Sequence, residues 1–198
     1  MRRFTGIWEG LVEPAWRGDV KDPRPGRILN IILLFLILWT GVLELQYRTG
    51  HQRAGSVDVL ILDLDSFKEY NDRWGHPAGD VRLQEVANLL RLNVREPDVA
   101  ARYGGEEFAI ILPDTSKPGA VQLAQRLRYS AEESAPGQSE DRYPVPGYTL
   151  SLGVATFPDD AASIEELLLM ADNAELMAKR LGKNRVYTAN SSDKIQNP

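Results

Sequence analysis

The chain has 198 residues, 43% of them hydrophobic and 26% charged, with a formal net charge of -5. That length holds one ordinary globular domain with an appendage, and the acidic balance argues against nucleic acid as a partner. With no cysteine and only His51 and His76, disulfides, thiolate zinc sites and histidine-rich metal centres are excluded, so any metal must sit on oxygen ligands, as magnesium, manganese and calcium do.

Residues 1–27 form a basic segment holding Arg2, Arg3, Arg17, Lys21, Arg24 and Arg27. The run Ile28 to Leu43 that follows is nearly free of polar side chains, and Trp39 and Tyr47 stand where interfacial anchors would. A transmembrane helix is expected over 28–46, although a span usually takes about 20 apolar residues and this run is shorter. A buried helix is the alternative. Residues 47–55 read as a short linker.

Ser56 to Leu64 is rich in leucine and β-branched residues and reads as a buried central strand. Helices are expected over Ser66–Arg73 and Ala78–Leu92, separated by Gly75, His76 and Pro77. Val99–Tyr103 and Glu107–Leu112 read as strands joined by Gly104 and Gly105, a permissive turn pair. Ser116 to Glu133 reads as a helix, Ser134 to Gly147 as a loop and Tyr148 to Phe157 as a strand. Ser163 opens the last helix with a capping box completed by Glu166; its apolar face is Ile164, Leu167, Leu168, Ala171, Ala174, Ala178 and Leu181, and Gly182 ends it. Arg185 to Thr188 can add an edge strand before a polar tail, 190–198. The expected fold is α/β (α+β), a mixed sheet covered by helices and preceded by one hydrophobic transmembrane-type helix.

Chemistry gathers in two stretches. Asp63 and Asp65 lie two apart at the end of a buried strand, where a carboxylate is costly unless paired or bound to a cation. If the glycine hairpin neighbours that strand, Glu106 can approach Asp63, and such a pair suits a hard cation that keeps water and phosphate as its other ligands. Each piece alone has an ordinary reading: a solvated loop, a simple turn, a charged sheet edge. Their joint recurrence at fixed spacing is the stronger signal.

RYGGEEF, from Arg102 to Phe108, resembles the central motif of the GGDEF family of diguanylate cyclases, with Glu106 where aspartate often stands. DLDSFKEYNDRWGHPAGD, from Asp63 to Asp80, is similar to that family's DxDxFKxxNDxxGHxxGD pattern at every fixed position. Thr149 to Gly153 resembles its TxSxG strand, and Ala171-Asp172 through Ala178-Lys179 its last helix. Gly182-Lys183-Asn184 stands where Gly-Arg-Asn is usual. The resemblance covers roughly Ser56 to Thr188.

The resemblance implies a nucleotide-cyclase, ferredoxin-like domain over 56–189 that condenses two GTP molecules into cyclic di-GMP as a homodimer. Asp63 and Glu106, with the carbonyl of Leu64, would hold Mg2+ or Mn2+. Asn71 and Asp80 would read guanine, Lys179 and Lys183 would reach the triphosphate, and the turn at Phe67 and Lys68 would offer backbone N–H groups to it. Lys183 keeps the charge of the usual arginine but not its fork, which weakens GTP binding modestly. Glu107 is the candidate for assisting deprotonation or forms a structural salt bridge, and His76 contacts substrate or only joins two helices. Arg95 and Asp98 resemble the inhibitory RxxD motif that binds product; a surface salt bridge is the plain alternative.

The family's DxLTGLxNRR stretch and its long helix do not precede the first strand, which is expected to leave a large apolar patch on the sheet. The basic flank before residue 28 would by the positive-inside rule export the GTP-using domain. Both features fit a deletion joining a membrane segment to a late part of the domain. The expected location is a bacterial-type inner membrane, contacted through 28–46, with the catalytic domain in the cytoplasm. A receptor for GTP or cyclic di-GMP and a non-functional fragment are the other readings.

Overall fold

Eight residues in a row from Val57 to Leu64 are buried, and a strand buried on both sides of its pleat belongs in the middle of a covered sheet. The computed structural model describes residues 56–134, 137–138, 144–145 and 147–190, and there β1 (Val57–Leu64) is the central strand. In chain order follow α1 (Phe67–Trp74), α2 (His76–Asn93), β2 (Val99–Arg102), β3 (Glu107–Pro113), α3 (Lys117–Glu132), β4 (Gly137–Gln138), β5 (Pro144–Val145), β6 (Leu150–Phe157), α4 (Ile164–Arg180) and β7 (Val186–Thr188). The main sheet has five strands in the order β2-β3-β1-β6-β7, antiparallel except for the parallel β6–β7 pair.

The two faces are covered differently. Leu60, Leu62 and Leu64 of β1 pack with Leu83, Val86 and Leu90 of α2 and with Leu123, Ala124 and Leu127 of α3. Val59 and Ile61, on the opposite face, pack with Leu167, Met170, Ala171 and Ala174 of α4. A close helix–strand approach makes the second layer possible, because a Cβ at Gly153 of β6 would lie 2.2 Å from both the Ala171 carbonyl oxygen and the Glu175 nitrogen of α4. Buried Arg82 of α2 stands over the rings of Tyr70 and Tyr148, at 5.1 and 4.6 Å from their centroids, and ties α1 to the start of β6.

Several expectations change. Residues 134–147 are not all loop: Gly137 pairs with Val145 and Gln138 with Pro144, a two-residue ribbon too short to leave a periodic signal. α2 begins at His76 rather than Ala78, because Pro77 is tolerated in a first turn, where its missing N–H is not needed. Ser163 caps α4 by accepting from the Glu166 nitrogen at 3.1 Å, but Glu166 turns its carboxylate to the Ala162 nitrogen instead of completing the box. Among the described residues the sheet shows no large apolar patch: Val57, Ala109 and Ile111 are buried, with Val99, Ala101, Tyr103 and Ile164 packed around Val57 and Ile111.

The membrane-spanning part of the expected fold is corrected as well. No helix among the described residues is long and apolar enough to cross a membrane, and 28–46 lies outside those residues. The apolar run there is short of the about 20 residues a span requires. The transmembrane-type helix, the membrane contact and the inner-membrane location are therefore not carried forward.

At the end of the sheet away from the glycine hairpin, Lys117 donates to both carboxylate oxygens of Asp160 at 2.6 and 2.9 Å and to the Ala189 carbonyl at 2.7 Å. Beside it Asp58, fully buried, accepts from the Thr156 hydroxyl, and burial pushes its pKa up from 3.8 to about 6. The folded protein thus holds this proton more tightly than the unfolded chain does. Its contribution to stability is complete below about pH 4 and lost as the pH rises through 6. Asp58→Asn, which carries no charge to bury, should gain stability relative to the native chain as pH rises from 4 to 6. Urea midpoints that keep a constant difference across that range would contradict this. Gly153→Ala should cost about 3 kcal/mol in the same unfolding measurement, since neither the helix backbone nor the strand can yield cheaply. Gly105→Ala, where a Cβ meets nothing within 4 Å, is the control and should change stability by less than about 0.5 kcal/mol.

Candidate active site

The chemistry-bearing residues lie at the edge of the sheet where β1 ends and the β2–β3 hairpin turns. β1 and β3 pair so that Asp63 stands opposite Glu107, and on the other side Asp63 stands opposite Ser151 of β6. The Leu64 nitrogen donates to the Glu106 carbonyl at 3.2 Å, which places Glu106 beside the end of β1. The hairpin is closed by the Tyr103 and Gly104 nitrogens, both donating to the Glu107 carbonyl. The Glu107 carboxylate lies over the turn, where a Cβ at Gly104 would fall 2.1 Å from its Oε2 and make that side chain move. Arg102 fixes the turn from the other side by donating to the carbonyls of Gly104 at 3.1 Å and Gly105 at 2.6 Å.

Asp63 is only 3% exposed, and burial pushes its pKa up to about 7, with the Glu106 and Glu175 carboxylates adding to the shift and Lys179 opposing it. The Lys179 Nζ sits 2.9 Å from Asp63 Oδ2 and 3.1 Å from Glu175 Oε1. Burial also raises Glu106, while Lys179 and Lys183 act to keep it charged. Glu106 thus lies near enough to Asp63 to raise its pKa, and the Lys179 ammonium stands against one Asp63 carboxylate oxygen. Among the described residues no group of three or more His, Asp or Glu side chains could hold an ion. The donors fit a hard cation bound by two carboxylates and completed by a backbone carbonyl, water and phosphate, and they do not fit a closed all-protein cage.

Asp65 does something else. β1 stops at Leu64, but Asp65 keeps the register, its nitrogen donating to the Thr149 carbonyl at 3.1 Å, and it stays on the face of Asp63 and of Ser151 opposite it. Its carboxylate accepts from the hydroxyls of Thr149 and Ser151, each at 2.7 Å, and from the Asn184 nitrogen at 3.0 Å. Gly182, Lys183 and Asn184 all have positive φ, a strained succession for residues with side chains. Asn184 is held further by Arg128, which donates to its Oδ1 at 3.0 Å, and by Glu132, which accepts from its Nδ2 at 2.8 Å. Lys183 Nζ then donates to the Ser66 hydroxyl at 2.9 Å, above the turn that enters α1 at Phe67 and Lys68.

Asn71 of α1 packs against α2 at Gly79, the residue before Asp80: a Cβ at Gly79 would lie 1.9 Å from Asn71 Oδ1. That Oδ1 is buried and makes no hydrogen bond among the described residues, whereas Asp80 is exposed. His76 is exposed as the first residue of α2. Arg95 and Asp98 lie apart from this group in the turn between α2 and β2. There Arg95 donates to Asp98 Oδ1 at 2.9 Å and Oδ2 at 3.2 Å, and also to the Thr115 hydroxyl at 2.6 Å. Sequence reasoning missed Arg102, the separate task of Asp65 and the presence of Glu175. The last left a signal, being a lone acid between Ala171 and Ala178 on the apolar face of α4.

The family profile described as "Diguanylate cyclase, GGDEF domain" matches residues 38–185, and the chain belongs to that family. Cyclases of the family generally require a divalent metal. Diguanylate cyclase A of Treponema denticola is 38% identical over 139 residues, covering 70% of this chain and 37% of that protein. The chain spans about a third of the length of the curated relatives it matches. Among solved structures, the GGDEF domain of DgcB from Caulobacter crescentus in complex with c-di-GMP is 32% identical with a TM-score of 0.61, over 67% of this chain and 77% of that one. The active GGEEF domain of a diguanylate cyclase from Vibrio cholerae is 30% identical with a TM-score of 0.62, over 69% and 84%.

Asp65→Ala should cost about 2–4 kcal/mol, because three donors lose a charged acceptor together. It should also speed amide hydrogen exchange at Asn184. Unchanged exchange there would show that the turn is held without Asp65.

Proposed function

We propose that the chain carries a diguanylate cyclase domain, assigned to 56–189, that joins two GTP molecules into cyclic di-GMP. The polar tail 190–198, the basic segment 1–27 and the linker 47–55 are assigned to its flanks, and the family match reaches back to residue 38. The observation that carries the reading is the gathering of Asp63, Glu106, Lys179 and Lys183 at one sheet edge. A GGEEF sequence like that of Glu106 and Glu107 here is described as active in the related Vibrio cholerae domain, so glutamate at 106 is no obstacle.

In this reading Asn71 Oδ1 accepts from the N–H edge of guanine, and Asp80 takes the remaining donors from the same base. Adenine presents the opposite polarity there and would leave the buried oxygen unpaired. Backbone N–H groups at Phe67 and Lys68 and the ammonium groups of Lys179 and Lys183 receive the triphosphate. His76, at the start of α2, faces the same bound nucleotide. Asp63, Glu106 and the Leu64 carbonyl would hold Mg2+ or Mn2+, which when bound would supply positive charge for the phosphates and make the attacking hydroxyl more acidic. Glu107, across the strand pair from Asp63, receives the ribose 3′-hydroxyl proton as that oxygen attacks the α-phosphorus of the other GTP. Two such attacks form two phosphodiester bonds and release two pyrophosphates. Each domain holds one nucleotide, so the working unit is a dimer with facing sites. Product binds at Arg95 and Asp98, where the exposed guanidinium gives a planar fork for phosphate or guanine.

Full-length protein given GTP and Mg2+ should form cyclic di-GMP, and Glu106→Ala should reduce the rate by about 100-fold or more. Chromatographic assay of the product checks both. Folded protein that binds GTP and forms none would overturn the cyclase assignment.

A further inference from the structure

Glu175 is a buried carboxylate beside the site to which the reaction above gives no task. It is 4% exposed, and its backbone nitrogen lies against Gly153 where α4 comes closest to β6. A charge in that position is costly without a counter-charge. The counter-charge is Lys179, one helical turn on, with Nζ 3.1 Å from Glu175 Oε1. Glutamate four residues before lysine is also the favourable order along a helix. The same ammonium is 2.9 Å from Asp63 Oδ2, so it bridges a carboxylate on β1 and one on α4.

The two carboxylates have different prospects. Asp63 is the one a divalent cation would take, and a cation and an ammonium on one carboxylate repel each other. Glu175 has no such second claimant. Released from Asp63 without a tether, Lys179 would return to water on its flexible stem. The geometry points to Glu175 as a positioning residue that retains Lys179 at the phosphate-facing edge once the cation has displaced it from Asp63. This inference rests on the cyclase reading for its ligand. It makes Lys179 a resting occupant of the cation site as well as a phosphate contact, with Glu175 converting one role into the other.

The test is a double-mutant cycle in the full chain. It measures binding of Mg2+ with a GTP analogue carrying a methylene bridge between its α- and β-phosphates. E175Q should weaken analogue binding roughly ten-fold, yet change it by less than about two-fold when K179Q is already present. Without nucleotide, K179Q should tighten Mn2+ binding about five-fold, since the resident ammonium is gone. Should E175Q fold poorly, E175M fills the same buried space and takes its place in the cycle. Equal weakening in both backgrounds, or none in either, would overturn the inference. A native chain that binds no analogue would overturn the GTP reading, and the Mn2+ measurement would still decide whether Lys179 competes for the cation; no tightening would end that idea too.

Discussion

Everything at this site follows from one carboxylate at the end of a strand buried on both faces. Water cannot stabilise Asp63, so a positive charge must, and in this structure the charge arrives from α4 as Lys179. That delivery depends on how close α4 lies to the sheet, which in turn depends on the missing side chain at Gly153. A packing detail on one strand therefore sets the electrostatics of its neighbour. The same burial that makes Asp63 costly would make it a strong ligand in the proposed site, because a dehydrated carboxylate gains more from a cation than one already surrounded by water.

A second carboxylate two residues later answers a different need. Among the described residues Asp65 has no ammonium in ion-pair range; it gathers hydroxyl and backbone donors from the start of β6 and from the turn after α4. Segments that share no local sequence are thereby brought to a common point, and the strained turn at Lys183 and Asn184 is stabilised from outside itself. The separation between Asp63 and Asp65 is a separation between holding charge and holding shape.

Much of this was legible in the residues. The leucine-rich and β-branched run of β1, the glycine hairpin and the serine start of α4 each carry a local physical signal, and the structure has all three. The meeting of Glu106 with Asp63 followed from placing that hairpin beside β1. What could not be read depends on which partners the fold brings to each carboxylate. Asp63 and Asp65 share a face, as their spacing implies, but nothing in the sequence shows that Thr149, Ser151 and Asn184 take up Asp65 while Lys179 takes up Asp63. Leu181, expected on the apolar face of α4, is instead 49% exposed, because the helix ends before its side chain can reach the core. The apolar run at 28–43 misled for a simpler reason, since hydrophobicity without sufficient length does not define a membrane span.

The bond from the Asn184 nitrogen to Asp65 joins positions 119 residues apart, nearly the whole breadth of the domain. Closing so long a loop is entropically slow, and during synthesis it must wait until the far end of the domain has emerged. The turn that presents Lys183 is therefore among the last features to form. An unfinished chain can already hold the hairpin and the strand end bearing Asp63, yet it lacks both lysines. On the proposed reading, competence to handle nucleotide comes with completion of the domain, and a partly made copy would not act ahead of its own fold.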